Sequence, residues 1–350
     1  MKGGNKIWST VVDYFLILGA IVGVGFASGK EISVFFFDYG GTSLIGLISF
    51  ALLYIYLFLI IQYISKKLKT NSYNEFNKAI FGKLCKISNI VMLVNFSITS
   101  AGMISGAEYL FSEFFNVGYK IPAIVLSVLT FILLLGGIDK IKVVANIIVP
   151  AMIAVIVINS IGNTTPQNVH FEIVAKNNFM AVYYGLLFGV NNFVAAMPVL
   201  FETKLKIKGK LSVIFTICFI IFLNILLLST NTYTTDMPMF ELSKYISPAF
   251  YYIYFATLIL ALFSTLMICS YNMQNIISNN KKSIFVSIIV VLINLILSNL
   301  GYAFIVKYLY VVSAIISGVY VVVLVILMII NLIKLKIKKE KSNDENNLQI

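Results

Sequence analysis

The sequence predicts an all-α polytopic membrane protein with ten transmembrane helices, arranged as a five-plus-five inverted repeat in which helices 1 and 6 are discontinuous. Three observations predict this fold. Hydrophobic residues make up 60% of the 350 residues and charged residues 11%, whereas a soluble domain has roughly 25% charged residues. Lysines are concentrated in alternate loops. Glycine clusters interrupt the first and the sixth apolar span.

Apolar runs of about 20 residues, the length that crosses a bilayer, place ten helices along the chain. They lie near 9–37, 41–64, 88–112, 121–137, 143–160, 179–200, 211–230, 248–273, 283–300 and 304–330. Because five is odd, the second repeat (about 179–330) crosses the membrane in the opposite sense to the first (about 9–160). Both belong to one transmembrane domain over 1–335, followed by a flexible cytoplasmic tail over 336–350.

The lysines test this helix count and orient the protein. Of 26 lysines, 21 fall in the loops and the tail that ten spans place on the side of the N-terminus, and Lys120, Lys176 and Lys244 fall on the other side. Since cytoplasmic loops carry an excess of basic residues, both termini are expected in the cytoplasm and the protein in the cell membrane. The net charge of +12 therefore indicates topology and lipid partners, not nucleic acid.

Helix 1 contains the most unusual motif of the chain, Gly19-Ala-Ile-Val-Gly-Val-Gly-Phe-Ala-Ser-Gly-Lys-Glu31. In hydrocarbon a helix is broken only where the freed backbone groups line a cavity or meet a ligand, and glycine makes such a break inexpensive. Ionisable residues inside a span usually mark a functional site. The motif predicts a break at a binding site; close helix packing is the alternative use of the glycines.

Helix 6 carries a second interrupted span, Tyr183-Tyr-Gly-Leu-Leu-Phe-Gly-Val-Asn-Asn-Phe-Val-Ala-Ala-Met-Pro198. Interrupted spans at corresponding positions of two halves point to the binding site of a secondary transporter. An ordinary proline-kinked helix is the alternative. The matching positions of the two motifs favour a paired break.

Backbone N–H groups at the end of a half-helix can hold a substrate carboxylate. The predicted substrate-binding residues are Gly23, Val24, Gly25, Phe26, Ala27 and Ser28 on helix 1, and Phe188, Gly189, Asn191 and Asn192 on helix 6. Asparagine amides both donate and accept hydrogen bonds, which suits a zwitterion, and Phe188 and Phe193 would close over the apolar part of a ligand. Interhelical hydrogen bonding is the alternative for each asparagine.

The stretch Gly23-Val-Gly-Phe-Ala-Ser-Gly-Lys-Glu31, followed by Phe35-Phe-Phe37 and Tyr39-Gly40, resembles the bacterial YkvI-type membrane proteins, in which a GAGFASGQE-like motif ends the first helix. Lys30 stands where glutamine is common there. That group is similar to the amino acid–polyamine–organocation superfamily, with the five-plus-five fold of the bacterial leucine transporter. The resemblance implies secondary active transport of a small organic solute, with an amino acid favoured.

The resemblance also implies a sodium site. Alignment with the leucine-transporter pattern through the helix 1 glycines makes the ion ligands the backbone carbonyls of Gly19 and Val22, together with Ala261, Ser264 and Thr265 on helix 8. A second sodium is not expected, because Phe26 replaces an asparagine ligand of that family. Hydrogen bonding of Ser and Thr to their own helix is the alternative.

Proton coupling is the rival to sodium coupling. In some relatives a lysine on helix 5 replaces the sodium, but the centre of helix 5 (near 143–160) has no charge here. Lys30, Glu31 and Glu108 are the remaining candidates for coupling or gating. For Glu108 two roles stay open: an ion pair with Lys30, because an unpaired buried charge is costly, or a proton carrier. Asp13 is assigned either to a cytoplasmic gate or to the membrane interface.

Other classes of function fit less well. A membrane enzyme needs an acid–base or metal cluster, but the single histidine, His170, lies in an outer loop without a metalloprotease or nucleophile-elbow pattern. We therefore expect no enzymatic activity and no cofactor except a sodium ion. A ligand-sensing membrane receptor on a transporter fold is the alternative function, since it needs the same pocket. A channel is less consistent with broken helices, which suit alternating access.

Overall fold

The structure is a computed structural model of the chain. It describes residues 2–38, 44–116, 120–164, 178–231, 235–278 and 283–347. Over these ranges the chain is helical and contains no strand. The α-helices, in chain order, are α1 Lys2–Ile21, α2 Val24–Ser28, α3 Lys30–Ile32, α4 Leu44–Leu68, α5 Tyr73–Phe81, α6 Cys85–Phe115, α7 Ile121–Gly136, α8 Ile138–Asn163, α9 Asn178–Phe201, α10 Ile207–Thr230, α11 Pro238–Ser243, α12 Pro248–Ile277, α13 Ile284–Ser298, α14 Tyr302–Phe304 and α15 Tyr310–Asn347.

Two π-helical turns and one 3₁₀ turn extend these helices. The π-helical turns are Ser33–Asp38 after α3 and Ile305–Leu309 before α15, and the 3₁₀ turn is Gly82–Leu84 between α5 and α6. α15 continues to Asn347, into the segment for which a flexible tail is predicted.

The apolar helices lie where the spans are predicted. Within the described ranges, seven helical segments are long and apolar enough to cross a membrane, and three shorter apolar helices, Trp8–Ile21, Ile121–Gly136 and Ile284–Ser298, lie at the other predicted spans. The chain is therefore a multi-pass helical membrane protein. The five-plus-five inverted repeat stays a prediction.

Two short helices outside the predicted spans connect the long ones. α5 begins after Ser72, whose hydroxyl accepts a hydrogen bond from the Glu75 N–H at 3.3 Å, the usual side-chain cap of a helix start. α11 packs against α2, α8 and α12, and the Asn159 amide of α8 donates to the Met239 carbonyl of α11 at 2.9 Å. α11 therefore covers the end of the broken first span.

The central helices pack closely around that span. α12 packs along α6 and α8, α1 along α8 and α9, and α15 along α9 and α6. α9 is the most enclosed of the long spans, with 83% of its most apolar stretch buried, although it contains three asparagines. Its polar side chains therefore face other helices, where they can contribute to a binding site.

The predicted discontinuity of helix 6 is wrong, because α9 is continuous through Pro198. Its glycines serve close packing against α4. A Cβ at Gly185 would overlap the backbone of Gly46, and one at Gly189 would lie 2.9 Å from Leu53, closer than packed carbon atoms approach. Small residues let membrane helices approach in this way, and this packing, rather than a break, explains the glycine pattern of helix 6.

Candidate functional site

The break predicted in helix 1 is present. α1 ends at Ile21 and α2 begins at Val24. Between them Gly23 is extended (φ −104°, ψ −158°), and α2 ends at Gly29 in the left-handed region (φ 77°), which glycine adopts without steric penalty. The span is therefore interrupted twice within eight residues.

Side chains of other helices bind the carbonyls that follow the break. The Asn224 amide donates to the Phe26 carbonyl at 3.0 Å, and the Tyr254 hydroxyl donates to the Ala27 carbonyl at 2.7 Å. The N–H of Gly25 has no acceptor among the described residues. Because buried backbone N–H groups are rarely left unpaired, Gly25 is the position at which this break offers a donor to a ligand.

The Glu31 side chain returns to the break. Its carboxyl occupies the space that a Cβ on Gly25 would need, and it lies beside the Asn192 amide of α9. Only 8% of Glu31 is exposed, and none of the ion pairs in the described part of the chain includes it. A buried carboxyl without a cation partner is costly, so this residue marks the site.

A small cavity connects the break with α6, α9, α12 and α15. Its volume is about 20 Å³, enough for about one water molecule. The lining residues are Ala20, Ile21, Gly23, Gly25, Glu31, Thr99, Met103, Asn191, Asn192, Ala195, Thr265 and Tyr310. The cavity thus brings together residues of both predicted motifs, although only the first motif is broken.

The predicted substrate-binding residues divide into two groups. Gly23, Gly25, Asn191 and Asn192 line the cavity, whereas Phe26, Ala27, Ser28, Phe188 and Gly189 do not; the side chain of Val24 lies outside the described residues. Ser28 is fully buried, and its hydroxyl lies 3.5 Å from that of Tyr302. Half of the helix 1 motif therefore packs against protein.

Phe188 is enclosed by an aromatic cluster instead of covering the cavity. The rings around it are those of Phe26, Phe35, Phe36 and Phe50, with centroids 5.3 to 5.6 Å away. Phe193 packs against Tyr54 and Phe58 of α4 in the same manner. Tilted and edge-on aromatic pairs are favourable at these distances, so both rings join α9 to α4.

Asn191 belongs to a buried polar network that sequence reasoning missed. The Asn95 amide of α6 donates to Asn191 Oδ1 at 3.1 Å and lies 2.7 and 2.8 Å from the hydroxyls of Ser313 and Ser317 on α15. Ser313 also donates to Asn191 at 3.0 Å. The alternative of interhelical hydrogen bonding is therefore observed for this asparagine. The position of Asn95 inside an apolar span is the feature of the sequence from which this network could have been predicted.

The two helix 1 carbonyls predicted to bind sodium lose their helical partners. The Gly23 N–H donates to the Ile21 carbonyl at 3.1 Å, and the Phe26 N–H donates to the Gly23 carbonyl at 3.2 Å. In a regular helix these two N–H groups would have donated to the carbonyls of Gly19 and Val22, each four residues earlier. Both carbonyls are therefore freed by the break.

The predicted α12 ligands lie next to the break but bond within their own helix. The Thr265 hydroxyl packs against Gly23. Ser264 and Thr265 both donate to the Ala261 carbonyl, at 3.0 and 3.1 Å. This is the back-bonding that Ser and Thr often form in membrane helices. The hydroxyl oxygens keep lone pairs that can still meet a cation.

The expected pairing of Glu108 with Lys30 is wrong. Lys30 pairs with Asp236 at 2.6 Å, and Glu108 pairs with Lys120 at 2.7 Å. Glu108 lies at the end of α6 beside the start of α7, within reach of Lys120, whereas the segment before α11 brings Asp236 to Lys30. Chain connectivity between distant loops, which the sequence pattern does not reveal, decides the partners.

At the other end of α1, Asp13 forms a second polar contact. One carboxylate oxygen accepts from Lys142 of α8 at 3.1 Å, and the other accepts from the Lys204 N–H at 2.8 Å. Lys142 also donates to the Glu202 carbonyl at 2.9 Å. These bonds join α1, α8 and the α9–α10 loop on the side of the N-terminus. His170 lies outside the described residues.

Comparison with known proteins finds partial similarity to two proteins of Bacillus subtilis. No family model matches it. It is 33% identical over 141 residues to the membrane protein YkvI of Bacillus subtilis, covering 40% of each chain. The predicted resemblance to YkvI-type membrane proteins is confirmed. The protein YyaD of the same organism is 26% identical over 154 residues, 42% of this chain and 43% of that one. Each match thus spans less than half of the relative's length.

Among solved structures, the fold is similar to that of a manganese transporter from Eremococcus coleocola. The TM-score is 0.56 at 14% sequence identity, over 91% of this chain and 78% of the transporter. This similarity shows a transporter-like fold. In the residues that the structure describes, no group of three or more His, Cys, Asp or Glu side chains is placed to hold a metal ion.

Proposed function

We propose that this protein is a secondary active transporter of a small organic solute, with an amino acid favoured, that works by alternating access in the cell membrane with both termini in the cytoplasm. The transporter-like fold and the broken first span support the proposal. The observation that carries it is the Glu31 carboxyl, buried at the break beside Gly25 and Asn192.

These groups complement a zwitterion. The unpaired Gly25 N–H suits a carboxylate, and the Glu31 carboxylate suits an ammonium group, since charge-assisted hydrogen bonds are the strong ones. The Asn192 amide, beside the Glu31 carboxyl, donates to the Phe188 carbonyl at 3.0 Å and keeps its oxygen for a donor. Because Glu31 lies directly over Gly25, one amino acid can reach both groups.

The structure corresponds to a closed form in this proposal. A cavity of about 20 Å³ is too small for an amino acid, so substrate binding requires the surrounding helices to separate. The Lys30–Asp236 pair and the Asp13–Lys142 pair lie at opposite ends of the broken span. Alternating access needs the two ends to open in turn, and these contacts are the ones that each opening would break.

Sodium is the coupling ion that we favour. The freed carbonyls of Gly19 and Val22 supply two oxygen ligands, and Ala261, Ser264 and Thr265 would complete the set. Sodium would be a transported partner, and we propose no chemical change of the substrate. Proton coupling is the rival, and Glu31, rather than the surface-paired Glu108, is the residue that would carry the proton.

One observation favours a second candidate function, the transport of an inorganic cation. The cavity already has the size of an ion, and the oxygen-bearing side chains of Glu31, Thr99 and Thr265 are among its lining residues. Hard cations prefer oxygen ligands. In this alternative no large opening of the cavity is needed for binding.

The experiment that tests these functions compares binding with flux. Purified protein is screened by thermal shift against amino acids and cations, with and without sodium, because a ligand of the native state raises its apparent stability. Hits are then tested for counterflow in proteoliposomes. Glu31→Gln should remove binding and flux, whereas the matched carboxyl change Glu108→Gln should leave both intact.

The outcomes separate the alternatives. Stabilisation by an amino acid together with counterflow supports the proposal. Binding without flux identifies a sensor, and stabilisation by cations alone supports the second candidate. Full amino acid transport by Glu31→Gln would overturn the assigned site.

A further inference from the structure

A large basic cavity lies apart from the central site. It has a volume of about 730 Å³ and is formed by the end of α4, the turn after it, the end of α9 and the start of α10. Four lysines line it: Lys66, Lys69, Lys204 and Lys210. All four belong to the side of the membrane on which the chain begins, where the lysine distribution places the cytoplasm.

The charged side chains that line this cavity are all basic. No acidic side chain lines it, and none of the four ammonium groups belongs to an ion pair in the described part of the chain. The charges of Lys66 and Lys210 are close enough to act on each other. Lys210 is half-buried, whereas Lys66, Lys69 and Lys204 are exposed. Like charges brought close together repel, and a bound anion would reduce that repulsion.

Hydrogen-bonding groups accompany the lysines. Ser65, Thr70 and Thr203 also line the cavity. The Ser65 hydroxyl ties the turn after α4 by donating to the Thr70 carbonyl at 2.8 Å, and the Thr203 hydroxyl donates to the Leu200 carbonyl at 3.0 Å. The Gln62 side-chain oxygen is buried there without a hydrogen-bond partner. A buried acceptor without a partner is rare in native proteins, and a turn of the Gln62 side chain toward the cavity would let a ligand hydroxyl satisfy it.

A shallow apolar groove, with a volume of about 10 Å³, continues from the cavity between α4 and α10. The two spaces share Gln62 and Lys210, and the remaining groove residues are all apolar: Ile55, Phe58, Leu59, Ile207, Leu211 and Ile214. Leu59, Ile207 and Leu211 are 40 to 45% exposed, on transmembrane helices that face lipid. The basic cavity is therefore followed by an apolar surface that faces lipid.

We propose that this cavity and groove bind an anionic phospholipid of the leaflet on the side of the N-terminus, with a headgroup that carries a hydroxyl. The phosphate is held by the lysines, the headgroup hydroxyl donates to Gln62, and an acyl chain lies along α4 and α10. Basic pockets between membrane helices bind anionic headgroups in this way. The apolar, lipid-facing surface beside the lysines favours a phospholipid over a free phosphate, because a soluble ion would leave that surface uncovered.

The test uses the full-length protein in detergent and in nanodiscs. Phosphatidylglycerol should raise the thermal transition more than phosphatidylcholine does, and native mass spectrometry should show phosphatidylglycerol retained. Each lysine near a membrane surface contributes about 1 kcal/mol to the binding of anionic lipid, or about fivefold in affinity. Lys66→Gln with Lys210→Gln should therefore weaken binding roughly thirtyfold.

Two matched variants keep the result interpretable. Lys206→Gln with Lys208→Gln removes the same charge from the start of α10, outside the cavity lining, and should leave lipid binding unchanged. Leu211→Trp fills the groove without changing the charge and should weaken binding of the lipid but not of soluble glycerol phosphate.

Equal stabilisation by phosphatidylglycerol and phosphatidylcholine would overturn the proposal. So would full stabilisation by inorganic phosphate or glycerol phosphate alone, which would identify a soluble anion as the occupant. If the cavity variant does not fold, retention of phosphatidylglycerol by the wild type and its loss in Leu211→Trp still decide the question.

Discussion

The carboxyl of Glu31 lies over Gly25 and fills the space that any side chain at position 25 would need. The two residues are separated by the left-handed Gly29, which turns the chain back on itself. The glycine of the break therefore has a specific purpose, which is to admit the one acidic side chain that lines the central cavity.

Gly25→Ala should displace this carboxyl and weaken ligand binding. The loss of one hydrogen bond to a charged group is worth about 1.5 to 3 kcal/mol, or roughly tenfold to hundredfold in affinity. Titration of the variant with the ligand found in the screen measures the effect. Gly318→Ala is the control, because its Cβ would meet neighbours at 3.6 and 3.9 Å, an ordinary contact distance. Unchanged affinity in Gly25→Ala would argue against this site.

Gly185→Ala should lower stability without changing ligand affinity. Its Cβ would overlap the Gly46 backbone and force α4 and α9 apart, and overpacking of this kind costs about 1 to 3 kcal/mol. The thermal transition in detergent and the ligand affinity are measured on the same preparation. A variant with normal stability and lost transport would show instead that Gly185 is a hinge.

Asn95 and Asn191 should be coupled energetically. A double-mutant cycle with Asn95→Leu and Asn191→Leu isolates the pair, and interhelical hydrogen bonds in membrane proteins contribute about 0.6 to 1.7 kcal/mol. We expect a coupling energy in that range from reversible unfolding in mixed micelles. Strict additivity of the two single variants would mean that the network contributes nothing as a unit.

Ser264→Ala with Thr265→Val should abolish the effect of sodium on substrate binding. In the wild type sodium and substrate should tighten each other's binding by the same factor, about fivefold or more, and the double variant should retain weak sodium-independent binding. Thr130→Val is the control, since its hydroxyl bonds to its own helix at 2.7 Å away from the site. If sodium has no effect on the wild type while uptake follows the proton gradient, the sodium assignment is wrong.

Breaking the Lys30–Asp236 ion pair should favour opening of the central cavity at the Lys30 end of the broken span. Both side chains are partly exposed, 19% and 34%, so the pair contributes at most about 1 kcal/mol, or a shift of about fivefold in population. The rate at which a thiol reagent labels Thr99→Cys in a cysteine-free background reports the opening. Lys30→Asp with Asp236→Lys should restore the wild-type rate, and an unchanged rate in Lys30→Gln would exclude this contact as a gate.

The sequence by itself determined the class of protein, the positions of the helices and the break in helix 1. Each of these depends on local composition: apolar length places a span, and Gly23 beside ionisable residues at membrane depth indicates a break. Half of the residues that line the cavity could be predicted for the same reason, because Gly25, Asn191 and Asn192 are small or polar residues that interrupt apolar runs.

Only the tertiary structure decided which glycines bend a helix and which let one pack. Gly25 makes room for Glu31, whereas Gly185 makes room for Gly46, and no local pattern separates the two. The missing Cβ that allows an unusual backbone also allows a close approach, so the outcome depends on the element that lies opposite. The partner of Lys30 was likewise decided by a distant loop, because ion pairs form between whichever charges the fold brings together.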